Sequence, residues 1–108
     1  KNDVHYILSK KKWKTVVTHN PDGEYGHIHH QMTSYIVRKD SRVDMNQLVY
    51  FGKYYRKKNM PKNLNSISSS DLKKKMKLTG MYSSQSKVMD HLGHMLPHEN
   101  WVKAKDWR

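Results

Sequence analysis

Clusters of basic side chains beside aromatic rings are the residues in this sequence most able to do chemistry. Cations that neutralise phosphates, next to rings on which bases stack, are typical of proteins that bind RNA or single-stranded nucleic acid. We therefore predict a nucleic-acid partner, with RNA favoured over DNA. The predicted phosphate contacts are Lys53, Arg56, Lys57, Lys58, Lys73, Lys74, Lys75, Lys77 and Lys87. The predicted stacking or packing rings are Trp13, Tyr54 and Tyr55.

A second nucleic-acid hypothesis comes from residues 71–95, whose pattern indicates a helix, a turn at Gly80 and another helix. The second helix would begin with the short polar residues 83–87, and Ser84 and Gln85 are the predicted base contacts. This pattern predicts a helix-turn-helix regulator of duplex DNA. An ordinary helical hairpin with serine caps gives the same pattern, so both interpretations stay open.

Eight histidines raise the question of a metal site. On a β-strand His27 and His29 would share one face, and His19 could approach from the neighbouring strand. Such a histidine set suits zinc or copper. Around them we find no carboxylate or cysteine that completes a known ligand signature. No cofactor is therefore predicted, and His27 and His29 are kept only as metal candidates.

The residue pattern argues against an enzyme. The nine carboxylates are scattered singly, and no pair has a spacing that suggests acid–base catalysis. No serine lies in a G-x-S-x-G motif, and no glycine-rich loop precedes a predicted helix. We predict a non-catalytic protein. A nuclease built on His19 and Asp22, or on the histidines of the H-x-H-H stretch, is the alternative.

The distribution of charge supports a polyanionic partner. The chain has 21 basic and 9 acidic residues and a formal net charge of +12. Residues 53–87 contain ten of the basic residues and a single acidic one, whereas residues 88–108 contain three of each. Phosphate neutralisation releases counterions, so nucleic acid suits this block best. The preferred function is a structural component of a ribonucleoprotein such as a ribosome. Binding to an acidic filament such as a microtubule is the alternative from another class.

The hydrophobic content predicts a small core. Leu, Ile, Val and Phe make up only 20 of 108 residues, a share at which disorder or completion by a partner is expected. Trp101 and Trp107 lie in a short polar stretch, and large rings of this kind usually bury. They are predicted either to pack on this core or to anchor the chain on another protein of a large assembly.

The residues also restrict the environment of the protein. The absence of cysteine fits an intracellular, reducing compartment, although it does not distinguish the cytoplasm, the nucleus and an organelle matrix. No apolar run approaches the roughly 18 residues that span a bilayer, and the N-terminus has no signal-peptide core. We expect no membrane insertion.

The sequence pattern also predicts the helices and strands that must position these residues. Together they indicate an α+β fold in one small domain, 1–108. Residues 1–43 are expected to be mainly β. Alternating residues at 4–8 and a β-branched stretch at 13–18 indicate an antiparallel hairpin, and 27–38 indicates a third strand. Within 27–38, Ile28, Met32 and Ile36 also fit a four-residue helical spacing. Asn20-Pro21-Asp22-Gly23 is a turn sequence.

Residues 44–108 are expected to be mainly α, with a polar linker at 59–69. Three to four short helices follow from apolar residues at helical spacing and from capping residues. The predicted helices are 44–58, 70–79, 83–96 and 98–107. The hairpin or three-stranded sheet would therefore precede the helices.

Overall fold

The computed structural model describes residues 2–81 and 92–108. The chain forms two compact units. One contains residues 1–53 and 101–108, and the other contains residues 54–100. We call them the sheet unit and the α4 unit. The predicted α+β class is confirmed, because the described residues form a three-stranded sheet and four α-helices. The single domain stays a prediction.

The sheet unit is built on strands β1 (Val16–Thr18), β2 (Leu48–Phe51) and β3 (Trp101–Lys103). Their order is β1-β2-β3, with β1 parallel and β3 antiparallel to β2. Parallel neighbours need a crossover connection. Here it contains the short helical turn α2 (Gly23–Gly26) and the helix α3 (Ile28–Lys39). The sheet therefore draws on the whole chain and not on its N-terminal part alone.

The central strand β2 carries the core of the sheet unit. Leu48 and Tyr50 are 0% and 1% exposed, because alternate residues of a strand point to the same face. Val37 of α3 and Ala104 complete the buried cluster. Four half-buried residues pack around it: Val4, Val16, Val43 and Trp107. Burial raises the pKa of the Tyr50 hydroxyl, which Arg38 and Ser34 partly offset, so the phenol stays neutral in the core.

The strand predicted at residues 4–8 is wrong, because this segment lies in α1 (Asn2–Ser9). Asp3 stands in the first turn, where a carboxylate is favourable. Val4 and Leu8, four residues apart, turn inward on one helical face, while Tyr6 is 62% exposed. In so short a segment, apolar residues at positions 4, 6 and 8 look like strand alternation, although only Val4 and Leu8 share the inward face of the helix.

The strand predicted at residues 27–38 is also wrong, because the segment forms α3. Ser34 and Val37, three residues apart, are its buried positions. Ile28, Met32 and Tyr35 are 64%, 55% and 63% exposed, so three large apolar residues of this helix face outward while the polar Ser34 is buried. A helix that buries small or polar residues gives little amphipathic signal in the sequence.

The helix predicted at residues 44–58 is replaced by a turn and the strand β2. The Asp44–Gln47 signal marks a real local structure, since the Asp44 N–H donates to Gln47 Oε1 at 3.0 Å. The Gln47 N–H also donates to the Asp44 carbonyl at 3.0 Å. The β-branched and aromatic residues that follow then pair with strands on both sides. Lys57–Asn59 form one 3-10 turn.

Two local predictions are confirmed in the sheet unit. Residues 20–23 form the expected turn, in which the Gly23 N–H donates to the Asn20 carbonyl at 2.9 Å. Gly23 has a φ of 65°, and a Cβ there would lie 2.7 Å from Gln31 Cγ, so the turn requires glycine. The strand predicted within residues 13–18 is present as β1.

The α4 unit contains the helix α4 (Ser69–Gly80), which confirms the helix predicted from residue 70. Its N-cap is Ser68 and not Ser70, which the sequence pattern predicts as the cap. The Ser68 Oγ accepts from the Asp71 N–H at 3.2 Å. The helix predicted at 83–96 falls largely on residues 82–91, which lie outside the described residues, and Gly93–Met95 form a 3-10 turn.

The predicted helix at 98–107 is wrong, since this stretch contains β3 and a 3-10 turn at Ala104–Asp106. Pairing with β2 overrides the local helical preference. Among the described residues, no helix combines the length and the apolar character needed to cross a membrane.

A hydrogen bond between His5 and Asp40 joins α1 to the end of α3 and gives a test of acid stability. His5 Nδ1 lies 2.8 Å from Asp40 Oδ2, and the Asp40 side chain is 7% exposed. Asp40 Oδ1 accepts from the Arg42 N–H at 2.9 Å, and this bond, helped by His5, holds the pKa of Asp40 below 3.8 despite its burial. A carboxyl group whose pKa is lower in the folded protein than in the unfolded protein stabilises the fold at pH values above its unfolded-state pKa. This stabilisation is lost as the pH falls through its folded-state pKa.

We expect Asp40→Asn to lower the free energy of unfolding at neutral pH, because it removes the charge and keeps an oxygen for the Arg42 N–H. The difference in free energy of unfolding between the wild type and the variant should shrink as the pH falls below 3.8, the ordinary pKa of this carboxyl group. It should disappear once Asp40 is protonated in the folded protein. Urea midpoints of both proteins across this range measure it. Asp106→Asn, at an exposed carboxylate of the same unit, is the matched control. A deficit that is independent of pH would contradict the assignment.

Candidate nucleic-acid interface and histidine–glutamate cluster

Helix α4 presents three of the predicted phosphate contacts on one face. Lys73, Lys74 and Lys77 are exposed, and positions three and four apart are neighbours on a helix surface. Leu72 and Thr79 are half-buried on the opposite side of the helix. The inward residues position the helix and leave the three ammonium groups in solvent.

Lys75 differs from the other lysines of α4. Its Nζ donates to the Leu96 carbonyl at 2.9 Å and to Glu99 Oε1 at 3.2 Å. The side chain is 31% exposed. Lys75 therefore ties the helix to the segment after residue 92, and its charge is already paired within the α4 unit.

The remaining predicted contacts of the α4 unit fall into three groups. Arg56, Lys57 and Lys58 are exposed around the 3-10 turn. Tyr54 and Tyr55 are half-buried, and the Tyr54 ring meets the His94 ring at 5.6 Å. The contacts predicted from residues 82–91 lie outside the described residues; they are Ser84, Gln85 and Lys87.

Two predicted nucleic-acid contacts belong to the sheet unit and have partners there. The Trp13 Nε1–H donates to the Ile7 carbonyl at 3.2 Å. Lys53 Nζ donates to the Arg108 carbonyl at 2.7 Å and lies 5.2 Å from the centre of the Trp107 ring. Both side chains therefore hold the sheet unit together.

A histidine–glutamate cluster lies where β1 leads into the crossover. His19 follows β1, Glu24 lies in α2, and His30 lies in the first turn of α3. Glu24 Oε2 is 3.1 Å from His19 Nδ1 and 2.8 Å from His30 Nδ1. The two imidazole rings are stacked, with centroids 3.9 Å apart and planes 7° from parallel. Two rings therefore converge on one carboxylate oxygen.

Asn20 fixes the carboxylate of this cluster. Its backbone N–H donates to Glu24 Oε1 at 3.1 Å, and its Oδ1 accepts from the Glu24 N–H at 3.0 Å. Its Nδ2 donates to the carbonyls of Phe51 and Gly52 at 3.2 and 3.1 Å. Asn20 is 0% exposed, so it fastens the crossover to the end of β2.

Glu24 reaches this position through an unfavourable backbone conformation. Its φ of 58° is in the left-handed region, which a residue with a Cβ rarely adopts. It is the single non-glycine residue with positive φ in the described part of the chain. Strain of this kind costs about 1–3 kcal/mol and tends to occur at functional sites.

The metal candidates predicted from the sequence lie beside this cluster. His27 caps α3, and its Nδ1 accepts from the His29 N–H at 3.2 Å. The His27 ring also stacks on the His30 ring, with centroids 4.4 Å apart. His19, the third histidine of the predicted set, contacts Glu24 and stacks on His30. The predicted shared strand face of His27 and His29 is wrong, because residues 28–39 are helical and do not follow strand alternation. The metal role of these two histidines stays a prediction.

Comparison with known proteins finds a distant similarity of this chain to a viral protein. No protein-family model matches the chain, and no solved structure matches it significantly. The chain is similar to an uncharacterized protein of Acanthamoeba polyphaga mimivirus, at 28% identity over 106 residues. The match covers 98% of this chain and 41% of the viral protein, so the chain spans less than half the length of this relative.

The two tryptophans near the C-terminal end of the sequence have different surroundings. Trp107 is half-buried and meets the Tyr50 ring edge-on, with centroids 5.7 Å apart. Trp101 is 55% exposed and touches the Phe51 ring at 5.4 Å. Trp107 therefore packs on the core of the sheet unit, one of the two outcomes predicted for it. Trp101 keeps an exposed surface.

Proposed function

We propose that this chain binds nucleic acid without catalysing a reaction, as a structural component of a ribonucleoprotein. The observation that carries the proposal is the outward face of α4, where Lys73, Lys74 and Lys77 are exposed together. Three cations at neighbouring helix positions repel one another in the free protein. Contact with phosphates relieves that repulsion and releases counterions.

The charge balance of the α4 unit supports the same proposal. Residues 54–100 contain nine basic and three acidic side chains. Of these acids, Glu99 pairs with Lys75, which is not part of the outward face. The exposed residues Arg56, Lys57 and Lys58 add three further cations to the same unit. The preference for RNA over DNA rests on the sequence pattern of cations beside rings.

Salt-dependent binding tests the proposal. We expect the full chain to bind structured RNA with an affinity that falls steeply with log salt, by about 0.7–0.9 log units per phosphate contact. Reversing Lys73, Lys74 and Lys77 to glutamate should weaken binding and flatten the slope by about 2–3, the share of three lost contacts. Fluorescence anisotropy at a series of salt concentrations gives both quantities.

The control reverses the same number of charges in the sheet unit, at the exposed residues Lys12, Lys14 and Lys105. Because these lie outside the proposed surface, the slope should change much less. Circular dichroism checks that α4 remains folded in both triple variants. An equal loss in the two variants would reject the α4 surface.

Parallel titrations with duplex DNA and polymerised tubulin distinguish the alternative partners. Preference for duplex DNA would favour a helix-turn-helix regulator, and preference for tubulin would favour a filament-binding protein. Either result would overturn the ribonucleoprotein proposal. Equally weak binding to RNA, duplex DNA and tubulin would mean that the chain is attracted to any polyanion by charge alone, and it would reject the ribonucleoprotein proposal.

A further inference from the structure

We propose that His19, Glu24 and His30 bind one zinc ion through His19 Nδ1, Glu24 Oε2 and His30 Nδ1. These three atoms lie within 4.8 Å of one another. Two imidazoles and one carboxylate are a ligand set that zinc uses when it keeps a further position open. This site goes beyond nucleic-acid binding, since the sheet unit supplies all of its ligands.

The two oxygen–nitrogen distances of the cluster are close to those between ligands of a tetrahedral ion. Zinc binds histidine nitrogen and carboxylate oxygen at about 2.0–2.1 Å, which places two tetrahedral ligands about 3.3–3.4 Å apart. Glu24 Oε2 lies 3.1 Å from His19 Nδ1 and 2.8 Å from His30 Nδ1. Each nitrogen therefore has to move away from Glu24 Oε2 by only a few tenths of an ångström. The two rings, stacked with centroids 3.9 Å apart and planes 7° from parallel, also have to tilt so that both Nδ1 lone pairs point at the ion. The ion would replace the hydrogen bonds that now join the two nitrogens to this oxygen.

The orientation of the carboxylate supports a ligand role. Glu24 Oε1 is occupied by the Asn20 N–H, so Oε2 alone faces the two histidines. Hydrogen bonds that fix a ligand in this way are the usual outer shell of a metal site. Asn20 is itself held by the carbonyls of Phe51 and Gly52, which connects the outer shell to the sheet.

The backbone and the packing favour the same conclusion. The left-handed φ of Glu24 is an energetic cost that accompanies the placement of its carboxylate against the Nδ1 edges of the two stacked rings. Phe51 meets the His19 ring edge-on at 5.5 Å, and His27 stacks on the other histidine. These rings shield the cluster on its sides. A dry lateral wall strengthens the interaction between an ion and its ligands.

The cluster also reaches solvent, as an open site requires. The side chains of His19, Glu24 and His30 are 31%, 18% and 27% exposed. Three protein ligands leave one tetrahedral position, which water fills in zinc sites of this type. The nitrogen-rich ligand set disfavours magnesium, which prefers oxygen ligands in an octahedron.

Metal titration of the full chain tests the proposal. We expect calorimetry on chelator-treated protein to give one tightly bound zinc ion per chain, with no binding of magnesium. Cobalt should give the absorption bands of a tetrahedral or five-coordinate site. His19→Gln, Glu24→Gln and His30→Gln should each weaken zinc binding by at least about tenfold.

His29→Gln is the matched control, because His29 is an exposed histidine of the same helix and contributes no ligand atom to the cluster. It should bind zinc as the wild type does. Zinc should also raise the melting temperature of the wild type and of His29→Gln, and not that of His30→Gln. Loss of binding in His29→Gln equal to that in His30→Gln would overturn the assignment, as would several weak sites per chain.

A measurement on the unmutated protein covers the case in which a variant fails to fold. The imidazole ¹⁵N resonances report which ring nitrogen binds a metal. Zinc should shift Nδ1 of His19 and His30 and leave His5 and His98 unchanged. Shifts spread over all the histidines, or none at His19 and His30, would reject the site.

Discussion

Replacing Asn20 with alanine is expected to lower the free energy of unfolding by about 3 kcal/mol. The change leaves the carbonyls of Phe51 and Gly52 and the N–H of Glu24 without the partners that they have now. An unsatisfied buried group costs about 1–3 kcal/mol, and these three are only partly buried, so relaxation and contact with water reduce their sum. Urea denaturation followed by tryptophan fluorescence measures the loss.

Asn46→Ala is the matched control for this prediction. Asn46 is exposed in the turn before β2, and the hydrogen bond found there uses its backbone N–H. Its replacement should change the free energy of unfolding by no more than about 0.5 kcal/mol. If Asn20→Ala and Asn46→Ala were equally stable, the crossover would not depend on the amide.

The second large effect is expected at the centre of the sheet. Leu48→Ala removes a side chain that is 0% exposed and packs in the cluster with Val37, Tyr50 and Ala104. Leucine-to-alanine changes in cores cost about 2–5 kcal/mol through lost transfer energy and the cavity left behind. With so few aliphatic residues in the chain, we expect about 3–4 kcal/mol, seen as a lower urea midpoint.

Leu78→Ala makes the same chemical change at a position that is 58% exposed on α4. Alanine is also the better helix former, so its effect should stay below about 1 kcal/mol. A loss at Leu48 no larger than that at Leu78 would mean that β2 is not the core of the sheet unit. Near-ultraviolet circular dichroism of the folded variants verifies that Tyr50 keeps its environment.

The elements that the sequence predicted correctly are those with local signals. The turn at residues 20–23 depends on proline and glycine within four positions. Helix α4 depends on a serine cap and an acidic residue in its first turn. Both signals act over a few residues, so they can be read without knowing what else packs nearby.

The errors arise where distant partners decide the structure. Residues 48–51 have apolar spacing compatible with a helix, but β1 and β3 pair with them on either side. In α1, five alternating residues fit a strand and a helix equally well, and burial of Val4 and Leu8 selects the helix. Tertiary contacts override local preference in short segments.

The candidate sites were predictable to different degrees. The basic residues of the α4 unit are visible in the sequence, whereas the inward turn of Lys75 toward Glu99 depends on the fold. Glu24 was not recognised as a histidine partner, because no sequence rule predicts a left-handed glutamate. The helical spacing from His27 to Arg38, if preferred over the strand, would have directed attention to His30.

The pairing of β3 with β2 has a consequence during synthesis of the protein, because β2 is translated long before β3. Phe51 lies opposite Trp101, 50 positions later in the chain, whereas β1 and β2 are joined by a shorter helical crossover. On the ribosome, one edge of β2 therefore stays unpaired while the whole α4 unit is translated. An uncovered strand edge is a site of misassociation. A pause in translation before residue 101 would lengthen this exposure, and a chaperone that covers the edge of β2 would shorten it.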